Sequence, residues 1–389
     1  MHNPSSTSIP VTQPNSTPAN TGRDISRNQD ASDALLRISD ARIWYKTIAG
    51  EAKVVDGVDV TIRRNEVFGL AGESGCGKST LVEGVLRLIK APGYIHSGSA
   101  LFLPRDKPTA HMLGQSGPSG TTDASAEQGV DLFNIPFAQL RPLRWRNIAY
   151  IPQGAMNSLN PVMRISDQII DAIVEHTEAT KNEASDKMHE RLAMVGLPPS
   201  VARMYPHQLS GGMKQRVTIA AAVTLNPDLL VADEPTTALD VNVQRAILQE
   251  LKDIRQKLGL TIVYVSHDMA VHAELADRMG IMYAGAVMEV GTITQIFKNP
   301  LHPYTQGLIR SIPDIKKPRV RVEGIPGLAP SPLDWPTGCR FHPRCSFAKA
   351  ICRAVEPKLT TVQPHQTMNG QDAQGRLVAC HIYTEQWNT

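Results

Sequence analysis

The segment "GESGCGKST", Gly72–Thr80, is the stretch of the sequence that most strongly indicates the fold. It matches the pattern G-x-x-x-x-G-K-[S/T], in which glycines let the backbone curl so that successive N–H groups face one phosphate. The apolar segment "VFGLAG" precedes it, and "KSTLVEGVLRLIK" continues it with leucine and valine at helical spacing. A strand, this turn and a helix, whose N-terminus carries about half a positive charge, together predict a phosphate-binding loop.

The residues of this phosphate loop are expected to share the binding of a nucleotide. Lys78 is predicted to reach the β- and γ-phosphates, and the Ser79 hydroxyl to ligate Mg²⁺. The predicted ATP contacts of the loop are Gly72, Glu73, Ser74, Gly75, Cys76, Gly77, Lys78, Ser79 and Thr80.

A second segment, "DLLVADEP", ends a short apolar run in Asp233 and Glu234. Asp233 is predicted to hold Mg²⁺ through water, and Glu234 to position and polarise the attacking water. Taken alone, the pair would be better interpreted as two exposed acids at a strand end. Together with the phosphate loop, it predicts hydrolysis.

Composition changes along the chain predict its organisation. Residues 1–33 are rich in Ser, Thr, Pro and Asn, which predicts a disordered tail. Short apolar runs alternate with helical patterns over residues 34–312, which predicts an α/β domain. Within it, residues 104–128 read as a flexible insertion and residues 155–222 as mainly helical. From 313 to 389 the periodicity fades and Pro, Gly and Cys become frequent, so we predict a C-terminal extension.

The composition excludes several classes of protein. Of the 389 residues, 41% are hydrophobic and 20% charged, as in soluble globular chains. A net charge of +3 gives no case for nucleic-acid binding. No apolar run approaches the roughly 20 residues of a membrane span. The N-terminus does not read as a signal peptide, so we expect a cytoplasmic chain with reduced cysteines.

The segment "LSGGMKQR", Leu209–Arg216, resembles the signature of ATP-binding-cassette (ABC) ATPases. The resemblance implies a P-loop core of RecA type with an antiparallel β subdomain and a helical subdomain. It also implies that this second anion-binding turn serves the ATP of a partner subunit, so that two subunits sandwich two nucleotides head to tail. The residues implied are Ser210, Gly211, Gly212 and Gln215.

Other motifs of that family occur in the expected order. Gln153, in "IPQGAMNSLNP", matches the loop that touches Mg²⁺ and faces the membrane subunit. The tripeptide Ala238–Asp240 matches the loop that crosses the dimer interface, and His267 matches the switch histidine that contacts the γ-phosphate. Tyr45 matches the aromatic residue on which adenine stacks, whereas Trp44 is expected in the core.

Four segments indicate a particular group within the ABC ATPases. "LSGGMKQRVTIA", "ADEPTTALDVNVQ", "HPYTQGLIRSIP" and "GCRFHPRC" look like the ATPase subunits of dipeptide and oligopeptide importers, over about residues 35–360. This implies a second, homologous ATPase chain as partner in a heterodimer, two membrane permeases, and a binding protein outside the cell. It also implies a peripheral position on the cytoplasmic face of the inner membrane.

The same motifs are compatible with other functions. Some relatives import oligosaccharides or nickel, and a soluble cassette ATPase with a redox-sensing tail is a further class. The insertion at 104–128 is longer than expected, and "QGAMNSLNP" departs from the commoner form of its loop. Both departures concern the permease partner rather than ATP hydrolysis.

Four of the five cysteines lie in the extension. Their spacing contains no C-x-x-C pair, which disfavours a zinc ribbon, whereas a [4Fe–4S] cluster tolerates varied spacing. In some relatives the matching tail carries an iron–sulfur cluster, and we predict one here, with Zn²⁺ or four free thiols as alternatives. The predicted ligands are Cys339, Cys345, Cys352 and Cys380.

Three basic residues stand beside these cysteines. Arg340, His342 and Arg344 are expected to favour deprotonation of the thiols by placing positive charge near them.

Overall fold

The computed structural model describes residues 33–105, 129–237, 239–312, 324–363, 375–384 and 387. Apart from Asp33, the predicted disordered tail lies outside the described residues. The same holds for the predicted insertion beyond Arg105, and for Ala238.

Among the described residues, four strands form an antiparallel sheet in the order β2-β1-β4-β5. Burial alternates along the two long strands, so one face packs inward. This sheet is the antiparallel β subdomain that the resemblance implied. The strands are β1 (Ala34–Thr47), β2 (Gly50–Arg63), β4 (Gly93–Phe102) and β5 (Val130–Asp131).

Eight strands of the described part of the chain form the second sheet, in the order β11-β12-β10-β9-β3-β8-β7-β6. The strands from β9 to β6 run parallel, and the three at the other edge pair antiparallel. The carboxyl ends of the parallel strands therefore meet at one edge, where ligands bind in such sheets. The strands are β3 (Val67–Ala71), β6 (Ile148–Ile151), β7 (Leu229–Asp233), β8 (Thr261–Val265), β9 (Arg278–Tyr283), β10 (Ala286–Thr292), β11 (Thr360–Thr361) and β12 (Leu377–Val378).

The helices begin at polar caps where the sequence supplies them. Thr180 and Glu183 form a capping box, and the Asp240 carboxylate accepts from the N–H groups of Asn242 and Val243. The helices are α1 (Lys78–Val85), α2 (Phe137–Leu140), α3 (Ile165–His176), α4 (Lys181–Met194), α5 (Gly211–Ala222), α6 (Val241–Leu258), α7 (Met269–Leu275), α8 (Ile293–Lys298), α9 (Pro303–Arg310) and α10 (Ala350–Ala354).

The central strands β3, β7 and β8 are buried along their whole length. Helices α3 to α6 pack their apolar faces into one core, and β1, β2 and α1 contribute to a second. A third core joins Tyr283 and Tyr304 of the cassette to Cys339, Phe341 and Cys352 of the extension. The extension therefore shares a hydrophobic core with the ATPase domain.

The extension also completes the edge of the main sheet. Its strand β12 pairs with β10, opposing Val378 to Glu289. The guanidinium of Arg376 donates to the Glu289 carboxylate at 2.7 Å, and both side chains have no exposed surface. Glu289 also accepts from the backbone N–H groups of Leu301 and His302. This buried ion pair joins the extension to the segment that leads into α9.

Among the described residues, none of the helices has the length and apolar character needed to cross a bilayer.

We predict that Arg376→Met destabilises the whole chain. Removing one partner of a buried ion pair leaves the other charge uncompensated, which costs about 3–5 kcal/mol. Arg141→Met is the matched control, because Arg141 and its partner Glu175 are mostly exposed and the change is expected to stay within about 0.5 kcal/mol. Urea unfolding of the full chain measures both. Equal midpoints for the two variants would contradict this account of the extension.

Candidate active site

The phosphate loop lies at the carboxyl end of β3 and leads directly into α1. Gly77 caps the helix with φ of 105°, and Gly72 has φ of 152°. A Cβ at Gly72 would overlap the carbonyl oxygen of Met282, and one at Gly77 would lie 2.6 Å from that of Val54. The loop therefore rests directly on the backbones of β9 and β2, and both positions require glycine.

Lys78 brings positive charge into this loop. Its side chain is buried, and Nζ donates to the carbonyl oxygens of Gly72 at 2.9 Å and Glu73 at 3.0 Å. The Cys76 sulfur lies 3.6 Å from the same ammonium. Burial raises the pKa of Cys76 despite this neighbour, so the residue is a neutral, packed thiol.

Asp233, the last residue of β7, is 1% exposed. Burial raises the pKa of Asp233 to about 6. The nearby charge of Glu234 also raises it, whereas the hydrogen bond from Ser79 lowers it. Within the described residues, its Oδ1 has no hydrogen-bond partner. An unpartnered, buried carboxylate oxygen beside a serine hydroxyl fits a divalent cation with oxygen ligands.

Glu234 lies at the centre of a polar network. Its Oε1 is 2.7 Å from Nδ1 of His267, and Oε2 accepts from Nε2 of Gln153 and from Oγ1 of Thr237, both at 3.1 Å. Burial opposes ionisation, but the hydrogen bonds from His267 and Thr237 outweigh it and lower the pKa of Glu234. The carboxylate is therefore ionised at neutral pH and able to polarise water.

The structure thus brings Gln153, Glu234 and His267 together from the ends of three different strands. Sequence reasoning missed Thr237. Its position three residues after Glu234 in "DEPTT" was the available signal, because a threonine hydroxyl at that spacing in a turn can reach the carboxylate.

Two aromatic residues of β1 were candidates for stacking adenine. Trp44 is 9% exposed and stacks on His96, with ring centroids 3.6 Å apart, so it belongs to the core as expected. Tyr45 is partly exposed and lies against Gly93, where an added Cβ would be 2.6 Å from the ring. Its role as the adenine platform stays a prediction.

The signature turn opens α5. Ser210 is the N-cap, and its Oγ accepts from the backbone N–H of Met213 at 3.3 Å. Gly211 and Gly212 line a surface depression together with Leu239 and Asp240. The placement of Gln215 differs from the prediction.

Gln215 was grouped with the signature residues that face a partner's nucleotide. Its side chain is 1% exposed, because this position of α5 turns toward the core. In the described structure it therefore does not reach the surface on which Ser210 lies.

The four cysteines of the extension all line one small cavity, which His302 and His381 also border. None of them is in a disulfide. Across the described residues, however, no set of three or more His, Cys, Asp or Glu side chains is arranged to hold a metal ion. The thiols therefore face a common cavity without standing in ligating geometry.

For Cys339, Cys345 and Cys380, the expectation that basic neighbours promote deprotonation of the thiol is wrong. Burial raises the pKa of Cys339 to about 11 and that of Cys380 to about 12. The two arginines pair with carboxylates instead, Arg340 with Asp56 and Glu356, and Arg344 with Glu73. Their charge is neutralised there instead of at the sulfurs.

Two family descriptions match the chain. The ABC transporter family matches residues 55–237, and the family described as oligopeptide/dipeptide transporter, C-terminal region, matches residues 288–352. The second match ends at Cys352 and so covers three of the four clustered cysteines.

Curated relatives match nearly the whole chain. A dipeptide transport ATP-binding protein, DppD, from Caldanaerobacter subterraneus is 40% identical over 353 residues, which cover 90% of this chain and 98% of the relative. The oligopeptide transport ATP-binding protein AppF from Bacillus subtilis is 36% identical, with 90% and 98% covered.

Solved structures agree on the fold. The dimeric structure of MJ0796, a bacterial ABC transporter cassette, has a TM-score of 0.54 and 25% identity, and covers 66% of this chain and 98% of its own. A post-hydrolysis dimer of the same cassette bound to ADP and Pi has a TM-score of 0.53 and 24% identity, and covers the same shares. The chain belongs to the ABC-transporter ATPases and carries the C-terminal region of the oligopeptide/dipeptide transporter family.

Proposed function

We propose that this chain is the ATP-hydrolysing subunit of an importer of short peptides. The observation that carries the proposal is the Glu234 network beside a phosphate loop and the buried Asp233. The peptide cargo is supported by the C-terminal match and by relatives named for dipeptide and oligopeptide transport. Four relatives that each match 85% or more of the chain are named for dipeptide, oligopeptide or peptide transport.

The residues of the site divide the reaction between them. The backbone N–H groups of the loop and the Lys78 ammonium bind the β- and γ-phosphates. Ser79, Asp233 and Gln153 would hold Mg²⁺, which when bound neutralises charge on the phosphate oxygens. Glu234 accepts a proton of the water whose oxygen attacks the γ-phosphorus, breaking the bond to the β-phosphate oxygen.

His267 and its neighbours keep Glu234 in place for this step. Oε1 is held by His267, and Oε2 by Gln153 and Thr237, so the carboxylate cannot rotate freely. Gln153 belongs to the loop that in this family faces the membrane subunit. A shift of that loop would therefore change the position of the general base.

We further infer that the working form is a dimer of cassettes. Ser210 and the glycines after it lie on the surface, where they are available to the nucleotide of a second, homologous ATPase chain. The dimeric solved cassettes support this arrangement. Two permease subunits, an external binding protein and a peripheral position at the cytoplasmic face of the inner membrane complete the proposal. Tyr45 would stack the adenine.

The cavity of the extension is proposed to take a [4Fe–4S] cluster, with Zn²⁺ as the alternative. Four thiols on one cavity supply the ligand number that either group needs. Metal binding would require the thiols to lose their protons, against the burial that raises the pKa of Cys339 to about 11 and that of Cys380 to about 12. A structural role follows from the shared core, since the cavity lies between the extension and α9.

Glu234→Gln tests the central step. The amide keeps the shape of the carboxylate but cannot take a proton, so hydrolysis should fall by roughly 10²–10⁴-fold while ATP binding persists. The measurement is phosphate release and uptake of a labelled tripeptide by the chain reconstituted with its partner ATPase, its permeases and the binding protein. Turnover at the wild-type rate in the variant would show that Glu234 is not the catalytic base. Uptake of an oligosaccharide or Ni²⁺ instead of peptide by the wild-type transporter would contradict the proposed cargo.

The variants Ser210→Ala and Lys78→Ala should distinguish the roles of the two anion-binding turns. Lys78→Ala should weaken ATP binding by the isolated chain, because the phosphates lose their nearest positive charge. Ser210→Ala should leave that affinity nearly unchanged but lower hydrolysis in the assembled dimer. Isothermal titration and steady-state phosphate release distinguish the effects. Loss of affinity by Ser210→Ala in the isolated chain would argue against a shared site.

Anaerobic purification tests the thiol cavity. We expect about four iron and four sulfide per chain and a visible absorption band, both lost in Cys339→Ser. Stoichiometric zinc without colour would select the alternative metal. Protein that contains neither metal and unfolds at the same temperature after Cys339→Ser would show that the cysteines are packed thiols.

A further inference from the structure

One side chain of the extension reaches into the phosphate loop. The guanidinium of Arg344 donates to both carboxylate oxygens of Glu73, from Nη1 at 2.8 Å and from Nη2 at 3.0 Å. Glu73 is the second residue of "GESGCGKST". The two residues are 271 positions apart in the chain. A bidentate pair of this kind fixes both distance and orientation.

Several further contacts fix the position of the Arg344 guanidinium. Its Nε donates to the carbonyl of Pro326 at 2.8 Å, and Nη2 also to that of Ile325 at 3.3 Å. Its carbon lies 5.6 Å from the centre of the Tyr283 ring, and the side chain is 6% exposed. A side chain so enclosed holds Glu73 in place rather than following its movements.

A second contact fixes the backbone of Glu73. Its N–H donates to the hydroxyl oxygen of Tyr304, in α9, at 2.9 Å, and Tyr304 has no exposed surface. The carbonyl oxygen of Glu73 accepts from Lys78. Contacts therefore hold the side chain and both backbone polar groups of Glu73. Two of these contacts, those from Arg344 and Tyr304, come from residues that follow the parallel strands in the chain.

The charge of Glu73 makes this contact more than a structural one. A carboxylate in a loop that receives a triphosphate repels the ligand, unless a positive group neutralises it. Arg344 supplies that positive group from a buried position, where screening by salt is weak. Without Arg344, the loop would present a negative charge beside the phosphates.

We propose that Arg344 is a positioning residue of the nucleotide site, which orders the phosphate loop and neutralises Glu73, so that the extension sets the affinity for ATP. The proposal rests on the nucleotide site proposed above. Arg344 directly precedes Cys345 and ends the short helical turn His342–Arg344. The turn that leads into Cys345 therefore also places the guanidinium on the phosphate loop.

The experiment compares ATP affinity in four forms of the full chain, by titration with MgATP. Arg344→Met should raise the dissociation constant about tenfold, the loss expected for one charge-assisted contact. The double variant Arg344→Met/Glu73→Gln should bind at least about threefold more tightly than Arg344→Met alone, because the uncompensated charge is gone. Lys349→Met, which removes an exposed cation of the extension that donates to the Trp387 carbonyl, should bind ATP as the wild type does.

Recovery in the double variant is a result that a purely structural role would not give. The inference is overturned if folded Arg344→Met binds ATP within twofold of wild type, or if the double variant binds no better than Arg344→Met. Should Arg344→Met fail to fold, Arg344→Lys keeps the charge and loses the bidentate fork. That variant should show faster hydrogen exchange at the amides of residues 73–77, and unchanged exchange would equally overturn the inference.

Failure of this inference is separable from failure of the proposed function. If Lys78→Ala still binds ATP normally, the nucleotide site itself is misplaced. If Lys78→Ala loses affinity and Arg344→Met does not, the site stands and the extension has no part in it.

Discussion

The contact between the phosphate loop and the backbones beneath it is the constraint on which the rest of the site depends. Gly72 lies against the Met282 carbonyl of β9, and Gly77 against the Val54 carbonyl of β2. Because neither position has room for a side chain, the loop is held where β3 ends and α1 begins. One strand from each sheet thereby fixes the phosphate loop, and the loop in turn determines the positions of Lys78 and Ser79.

The parallel strands bring the remaining chemistry to the same edge. Asp233 is buried, and one of its oxygens has no partner among the described residues, which favours a bound cation. Glu234 next to it is kept ionised by the hydrogen bonds that it accepts. Glu234 has a positive φ of 46°, a backbone conformation that is uncommon for a non-glycine residue. Such strain persists at functional sites because the surrounding contacts determine the geometry, here those from Gln153, Thr237 and His267.

Contiguous motifs made the fold and most of the site predictable. A phosphate loop, the pair Asp233–Glu234 and an apolar strand each encode their local structure within about ten residues, so the sequence alone indicated them. Contacts that depend on packing could not be predicted. The pairing of Arg344 with Glu73 spans 271 positions, and the burial of Gln215 depends on how α5 packs. The raised pKa of Cys339 comes from burial, and Arg344 pairs with Glu73; neither can be read from the local charge pattern.

The most direct test of this account is an experimental structure of the assembled transporter with ATP and Mg²⁺, trapped by a hydrolysis-deficient variant. We predict Ser79 and Asp233 at the metal, and Ser210 of one cassette at the γ-phosphate held by the phosphate loop of the other. We also predict that Arg344 remains paired with Glu73. Nucleotide bound without contact to the opposite signature turn, or a phosphate loop whose Glu73 has left Arg344, would contradict this account.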